Sequence, residues 1–231
     1  MPTTDNEEKG RGGLITSSHL EHIALFPLPN AVFFPSTMLP LHIFEQRYRE
    51  MTQEAIEDNV PIAIMRLTEP RSLNARGLPD FHERGGAGFV LHHQRLPDGR
   101  YNILLEGVSR IRVIEEIDSD RSYRVGRAEL VPEAYDHPEQ IQALLSTLRG
   151  VVVGLQNQYS RLSEALAKTM NTVHDPAALA DTIASLIISD PDHRHALLAD
   201  PVVDHRLDAI ISRLTDLLAV SPNGPSGSWM N

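Results

Sequence analysis

The chain has 231 residues, no cysteine, a hydrophobic fraction of 41% and a formal net charge of −10. That length suffices for one large domain or two small ones with a proper core. The composition excludes disulfides and thiolate chemistry, and its acidic balance argues against a nucleic-acid binder.

Residues 1–13 (MPTTDNEEKGRGG) are polar with mixed charges and lack the apolar stretch of a signal peptide, which sets the expectation of a cytoplasmic protein. Residues 1–19 and 221–231 (SPNGPSGSWMN) read as disordered tails. The run LFPLPNAVFFPSTMLPLHIF at 25–44 follows, with four of the six phenylalanines and four of the sixteen prolines. Within and beside it, IALFPL (23–28) and TMLPLHI (37–43) predict two short strands, and Pro40 marks the second as an edge or a bulge. FEQRYREMTQEAIEDN predicts a helix, because Phe44, Tyr48, Met51 and Ala55 recur at helical spacing. Glu45 and Arg49 stand at i and i+4 on its outer side. PIAIMRL (61–67) predicts another strand, a loop runs from 68 to about 84, and GFVLHHQ (88–94) predicts the next strand. GGAG at 85–88 reads as a turn ahead of that strand. Asp98-Gly99 between apolar runs is a strong hairpin signal. YNILLEG, SRIRVIEEI and YRVGRAELV supply the remaining strands. Six or seven strands with one helix suggest a small closed or partly closed barrel.

The chain changes character near residues 132–138. From Pro138 to Met170 apolar residues recur every three or four positions, which predicts one long helix, with Gly150 and Gly154 favouring a kink. Asp175-Pro176, Asp190-Pro191 and Asp200-Pro201 each read as a helix start. The aspartate caps an orphan amide, and proline costs nothing at the first helical position. The second half is therefore a helical bundle. Its most apolar stretch, LRGVVVGL at 148–155, is short and carries Arg149, so it does not read as a membrane span.

Candidate chemistry is sparse. Only Lys9 and Lys168 stand against nineteen arginines, and neither sits in a glycine-rich phosphate loop, which excludes ATP hydrolysis by that route. Seven arginines in 94–127 are matched by six acids, so no basic stripe is visible. His92 and His93 lie on one predicted strand and point to opposite faces. Asp192, His193 and His195 cluster near a helix start, but no second cluster has ligand spacing. Metal, cofactor and catalytic residues are therefore expected to be absent. Glu115 and Glu116 face opposite sides of a strand and do not form an acid/base pair.

Three stretches carry a resemblance. LFPLPNAVFFPSTMLPLHIFEQRYREM resembles the opening of the Lon N-terminal, substrate-binding domain. GFVLHHQRLPDGRYNILLEGVSRIRV is similar to that domain's glycine strand and DGR hairpin. DPAALADTIASLIISDPDHRHALLADPVVDHRLDAIISRL is similar to its helical part. The match covers about residues 20–220. It implies an α+β fold, a PUA-like β-barrel with one packed helix over 20–133 followed by a helical bundle over 134–220. It also implies a stand-alone member without the ATPase and peptidase modules. The implied function is non-catalytic recognition of unfolded or partly folded polypeptide, as an adaptor or holdase, with a protease or chaperone as the partner class. An RNA-binding PUA-like barrel is the alternative.

The residues give their own reading of the apolar run. Its prolines keep it from forming one long helix or an aggregating edge. Twenty residues this apolar can exceed what a barrel needs, and exposed apolar surface marks binding sites. Phe33, Phe34, Met38, Phe44 and Tyr48 are the candidate polypeptide contacts. Phe33 and Phe34 are adjacent, so in an extended segment one of them is expected to point outward.

Overall fold

A computed structural model describes residues 13–68, 73–74 and 77–219. The described residues form two compact units. The first runs up to Pro132 and also takes in Ser185–Pro201; the second comprises Glu133–Ala184 and the residues from Val202 onward. A single boundary near residue 133 does not anticipate that return.

The first unit begins with the short helix α1 (Ser17–Glu21) and contains strands β1 (Ile23–Leu28), β2 (Met38–Ile43), β3 (Ile62–Arg66), β4 (Arg84–Arg95), β5 (Tyr101–Ile117) and β6 (Arg124–Leu130). Helix α2 (Gln46–Glu57) lies between β2 and β3 in the chain. The strand order is β2-β5-β4-β3-β1-β6, and β5 also pairs with β6. That extra pairing closes β1, β3, β4, β5 and β6 into a ring and leaves β2 as an appended edge. Only β1 and β3 are parallel; the other pairings are antiparallel.

The 17-residue β5 makes closure possible. Its first half pairs with β2 and its second half with β6. The two predicted strands on either side of Gly107 are therefore one. The hairpin at Asp98-Gly99 joins β4 to β5, with Gly99 at a φ of 81°. β4 begins at Arg84, so the GGAG stretch is not a turn but part of the strand.

β1 and β3 bury both faces, which explains why IALF and IAIM are continuous apolar runs. Ala24, Phe26, Ile62 and Ile64 join a cluster with Tyr48, Met51 and Ala55 of α2. Ile23, Leu25, Ala63 and Met65 join another, with Ile15 and Leu20 at α1.

Helix α6 (Pro191–Ala199) returns to this barrel. Two arginines meet its C-terminal carbonyls: Arg110 Nε donates to Leu198 at 3.0 Å, and Arg84 donates to Ala199. Cations at that end also complement the helix dipole. Asp190 caps its start by accepting the His193 amide at 2.8 Å. Asp200 is not a helix start; it closes α6, with its amide on the Ala196 carbonyl at 3.1 Å.

The second unit holds α3 (Ile141–Gly154), α4 (Ser160–Thr172), α5 (Pro176–Ile187) as far as Ala184, and α7 (Val203–Ala219). The one long helix predicted from Pro138 is broken. It ends at Gly154, passes through a 3-10 turn at Leu155–Asn157 and restarts at Ser160. The Ser163 hydroxyl donates to the Val152 carbonyl at 2.8 Å across the break. Asp175 caps α5 as its sequence predicts, accepting the Ala178 amide at 2.8 Å. Arg206 is 1% exposed and pairs with Asp181 and Glu133, joining α7 to α5 and to the start of the unit. Among the described residues no helix is long and apolar enough to cross a membrane.

Candidate functional site

The apolar run divides where β1 ends. The linker after β1 carries Val32, Phe33, Phe34 and Pro35, all buried. Phe33 is 1% exposed and Phe34 is fully buried, so neither ring is an open contact. The expectation that one would face outward assumed a segment with solvent on one side. Instead the linker lies directly against strand backbone. A Cβ on Gly86 of β4 would fall 1.7 Å from the Phe33 carbonyl oxygen, and one on Gly107 of β5 would fall 2.2 Å from that of Phe34. Glycine at both positions lets the linker approach so closely that both of its faces are covered. The Thr37 hydroxyl donates to the Phe34 carbonyl at 2.7 Å and ends this stretch.

From Met38 the pattern changes to strict alternation. Leu39 and Leu41 pack against the barrel core and Ile43 is part of it. Met38, Pro40, His42 and Phe44 are exposed. Met38 is 50% and Phe44 62% exposed. With a strand rise of about 3.3 Å per residue, the stripe is about 20 Å long. Its edge carries no partner strand among the described residues. Pro40 lacks an amide hydrogen and so removes one donor from β2.

His42 and Phe44 stack, with ring centroids 6.4 Å apart. His42 Nδ1 lies 2.7 Å from Asn102 Oδ1. Arg100 Nη1 lies 3.2 Å from His42 Nε2. The amide oxygen and guanidinium fix the direction of both bonds, so the neutral ring carries its hydrogen on Nδ1. This network holds the imidazole flat beside Phe44. Pro40 and His42 were not among the sequence candidates. The alternation in MLPLHIF was the signal that could have found them.

Tyr48 is 8% exposed, with its ring 4.2 Å from that of Phe26. It too is core in its ring, and burial pushes its phenol pKa up. Glu45 does not pair with Arg49 as the i, i+4 spacing suggested; it pairs with Arg47 at 2.8 Å. On the outer side of α2, Glu50 and Glu54 hold the β5–β6 turn. Ser122 donates to Glu50, and Tyr123 donates to Glu54 at 2.6 Å.

The histidines near 192–195 serve the docking of α6. His195 stacks on His82 with centroids 4.0 Å apart, and its Nε2 donates to the Arg84 carbonyl at 3.1 Å. Asp192 pairs with Arg66 at 2.6 Å. Burial, then the charge of Arg66, holds the His82 pKa below its ordinary value. Burial does the same to His195, against the opposing effect of its carbonyl partner. Among the described residues, no three histidines and acids are grouped to hold a metal ion.

The sequence matches a family model described as the ATP-dependent protease La (LON) substrate-binding domain over residues 22–216. It is 26% identical to the Lon protease of Paraburkholderia phytofirmans over 204 residues, which is 87% of this chain and 25% of that protein. It is 25% identical to the Lon protease of Escherichia coli K12 over 201 residues, 86% of this chain and 25% of that protein. The chain thus spans about a quarter of the length of the relatives it matches. In structure it is similar to the N-terminal domain of the Mycobacterium avium complex Lon protease. That similarity has a TM-score of 0.66 at 20% identity, covering 85% of this chain and 99% of the other. A Lon N-terminal domain protein from Xanthomonas campestris gives a TM-score of 0.57 at 20% identity, covering 83% and 97%. These likenesses confirm the α+β fold of barrel and helices.

Proposed function

The chain belongs to the family of Lon substrate-binding domains, and on that premise we propose that it binds unfolded or partly folded polypeptide through the outward face of β2, without cleaving it. The observation that carries this reading is the exposed stripe of Met38, Pro40, His42 and Phe44 on an edge strand. Apolar side chains this open on a rigid strand offer contact area at little ordering cost. Met38 and Phe44, two of the five sequence candidates, supply the contacts; Phe33 and the Tyr48 ring lie in the core cluster that the inward side chains of β2 pack against. An adaptor or a holdase is the role that fits, with a protease or chaperone as downstream partner.

Fluorescence anisotropy of a labelled, permanently unfolded protein tests the reading. Phe44→Asp should weaken saturable binding by about tenfold, the scale of an interface anchor. Val153→Asp changes a side chain that is 72% exposed in the second unit and should leave affinity unchanged. Equal binding by both variants would rule out the β2 face. Pull-down then separates the roles: a generic mixture of captured chains fits a holdase, and one stoichiometric partner fits an adaptor. RNA binding receives less support. Arg112, Arg124 and Arg127 of the arginine-rich stretch each pair with a glutamate, and the net charge is −10. Steep loss of binding with salt would mark phosphate contacts and reverse that preference.

A further inference from the structure

We infer that the cavity between the start of α2 and the β5–β6 turn holds a carboxylate of the bound polypeptide. This deepens the polypeptide-binding reading and rests on it. The cavity has a volume of about 200 Å³, and Arg47, Tyr48, Ser119 and Arg121 line it.

Its unused hydrogen-bonding capacity is mostly donor. Tyr48 has a buried ring, yet its hydroxyl makes no hydrogen bond among the described residues. That oxygen is not among the sealed, unpartnered atoms, and Tyr48 lines the cavity. The phenol is protonated at neutral pH, and burial raises its pKa further. Arg47 lies 4.5 Å over the Tyr48 ring. It uses Nε and Nη2 on Glu45, which leaves Nη1. Arg121 uses Nε on Glu54 at 3.0 Å, which leaves both terminal nitrogens. The Ser119 hydroxyl oxygen accepts the Arg121 amide at 3.4 Å, and its own hydrogen remains to donate.

A ligand group that only accepts matches this wall. A carboxylate offers two oxygens with about four lone-pair sites, in a plane that suits guanidinium nitrogens. An ammonium group would find few acceptors. Arg124 contributes less, since each of its nitrogens already donates to Glu116 or to the Pro79 carbonyl. Asp118 also lines the cavity and opposes an anion. The chain's net charge of −10 opposes a run of acids at long range. A single carboxylate is therefore the expected guest. Phe44 precedes Arg47 by three residues, a reach of no more than about 11 Å. A polypeptide with its apolar residue on Phe44 can place a neighbouring carboxylate in the cavity.

Three acetylated peptides of one phenylalanine-containing sequence test this: one with an internal glutamate and a C-terminal amide, one with glutamine and a free C-terminus, and one with glutamine and an amide. The readout is the Arg47 and Arg121 side-chain Nε–H resonances in the full chain. At least one carboxylate peptide should shift them saturably, the neutral peptide should not, and which one acts identifies the source of the carboxylate. Tyr48→Phe should weaken that binding by about tenfold, the scale of a hydrogen bond to a charged group. Asp118→Asn should strengthen it. Equal shifts from the neutral peptide, shifts from inorganic phosphate but from neither carboxylate, or no shift at all would overturn the inference. If Phe44→Asp abolishes unfolded-protein binding while the carboxylate peptides shift nothing, the β2 reading stands and this inference falls. If wild type does not bind unfolded protein, the β2 reading falls, and saturable carboxylate-specific shifts would still establish the cavity as a carboxylate site.

Discussion

Two neighbouring segments of one apolar run behave in opposite ways. Val32–Pro35 is covered on both faces, whereas Met38–Phe44 shows every second side chain to solvent. Their compositions are alike, so hydrophobicity does not decide the outcome. What decides it is what lies opposite. The first segment meets the backbone of β4 and β5 at two glycines. The second pairs with β5 along one edge and, among the described residues, meets no strand on the other. Exposure on an apolar stretch is thus set by backbone neighbours far away in sequence.

The largest break in this contrast should come from Gly86→Ala. The added carbon would fall 1.7 Å from the Phe33 carbonyl oxygen. Neither strand nor linker backbone can yield that much, so a loss of more than about 4 kcal/mol is expected, seen as failure to fold or a large drop in Tm. Next, Phe33→Ala should cost about 3–5 kcal/mol in urea unfolding, the usual price of an emptied aromatic site. A loss below 1 kcal/mol would show that the linker is not packed as described.

Acid gives a smaller effect on a third surface, the docking of α6. His82 and His195 have lowered pKa values in the fold, against about 6.5 in the unfolded chain. Above pH 6.5 both states are neutral there and docking is at full strength. As pH falls below about 6.5 the unfolded chain takes up protons first, so stability declines until the folded values are passed. Urea midpoints between pH 7.5 and 5.5 should show this decline, and His82→Asn should flatten it. Smallest of all, Phe44→Ala should change stability by less than about 0.5 kcal/mol, because its ring is largely in water. Set beside Phe33→Ala, that variant measures the difference between the two segments directly.

Much of the barrel was legible in the sequence because its signals are local. The Asp98-Gly99 hairpin and the edge character of the strand holding Pro40 needed only neighbouring residues. Of the five candidates in the apolar run, Met38 and Phe44 are exposed in the structure, in keeping with a run more apolar than a barrel needs. The burial of both Phe33 and Phe34, where one ring was expected to face outward, was not legible, because the close approach of Gly86 and Gly107 is encoded more than fifty residues downstream. The same distance hid α6: Arg110 meets Leu198 across 88 positions. The break after Gly154 was half visible, as glycine suggested a kink, but the return of α4 along α3 depends on tertiary contacts such as Ser163 with Val152.

The return of α6 to the barrel bears on how the chain matures. A ribosome releases the strands well before Pro191–Ala199 leaves the exit tunnel. Until then Arg84 and Arg110 have no helix carbonyls to meet, and that flank of the nascent barrel stands bare. The docking of α6 must therefore wait until Pro191–Ala199 has been synthesised, and a fragment cut near residue 133 would carry this flank uncovered for its whole life.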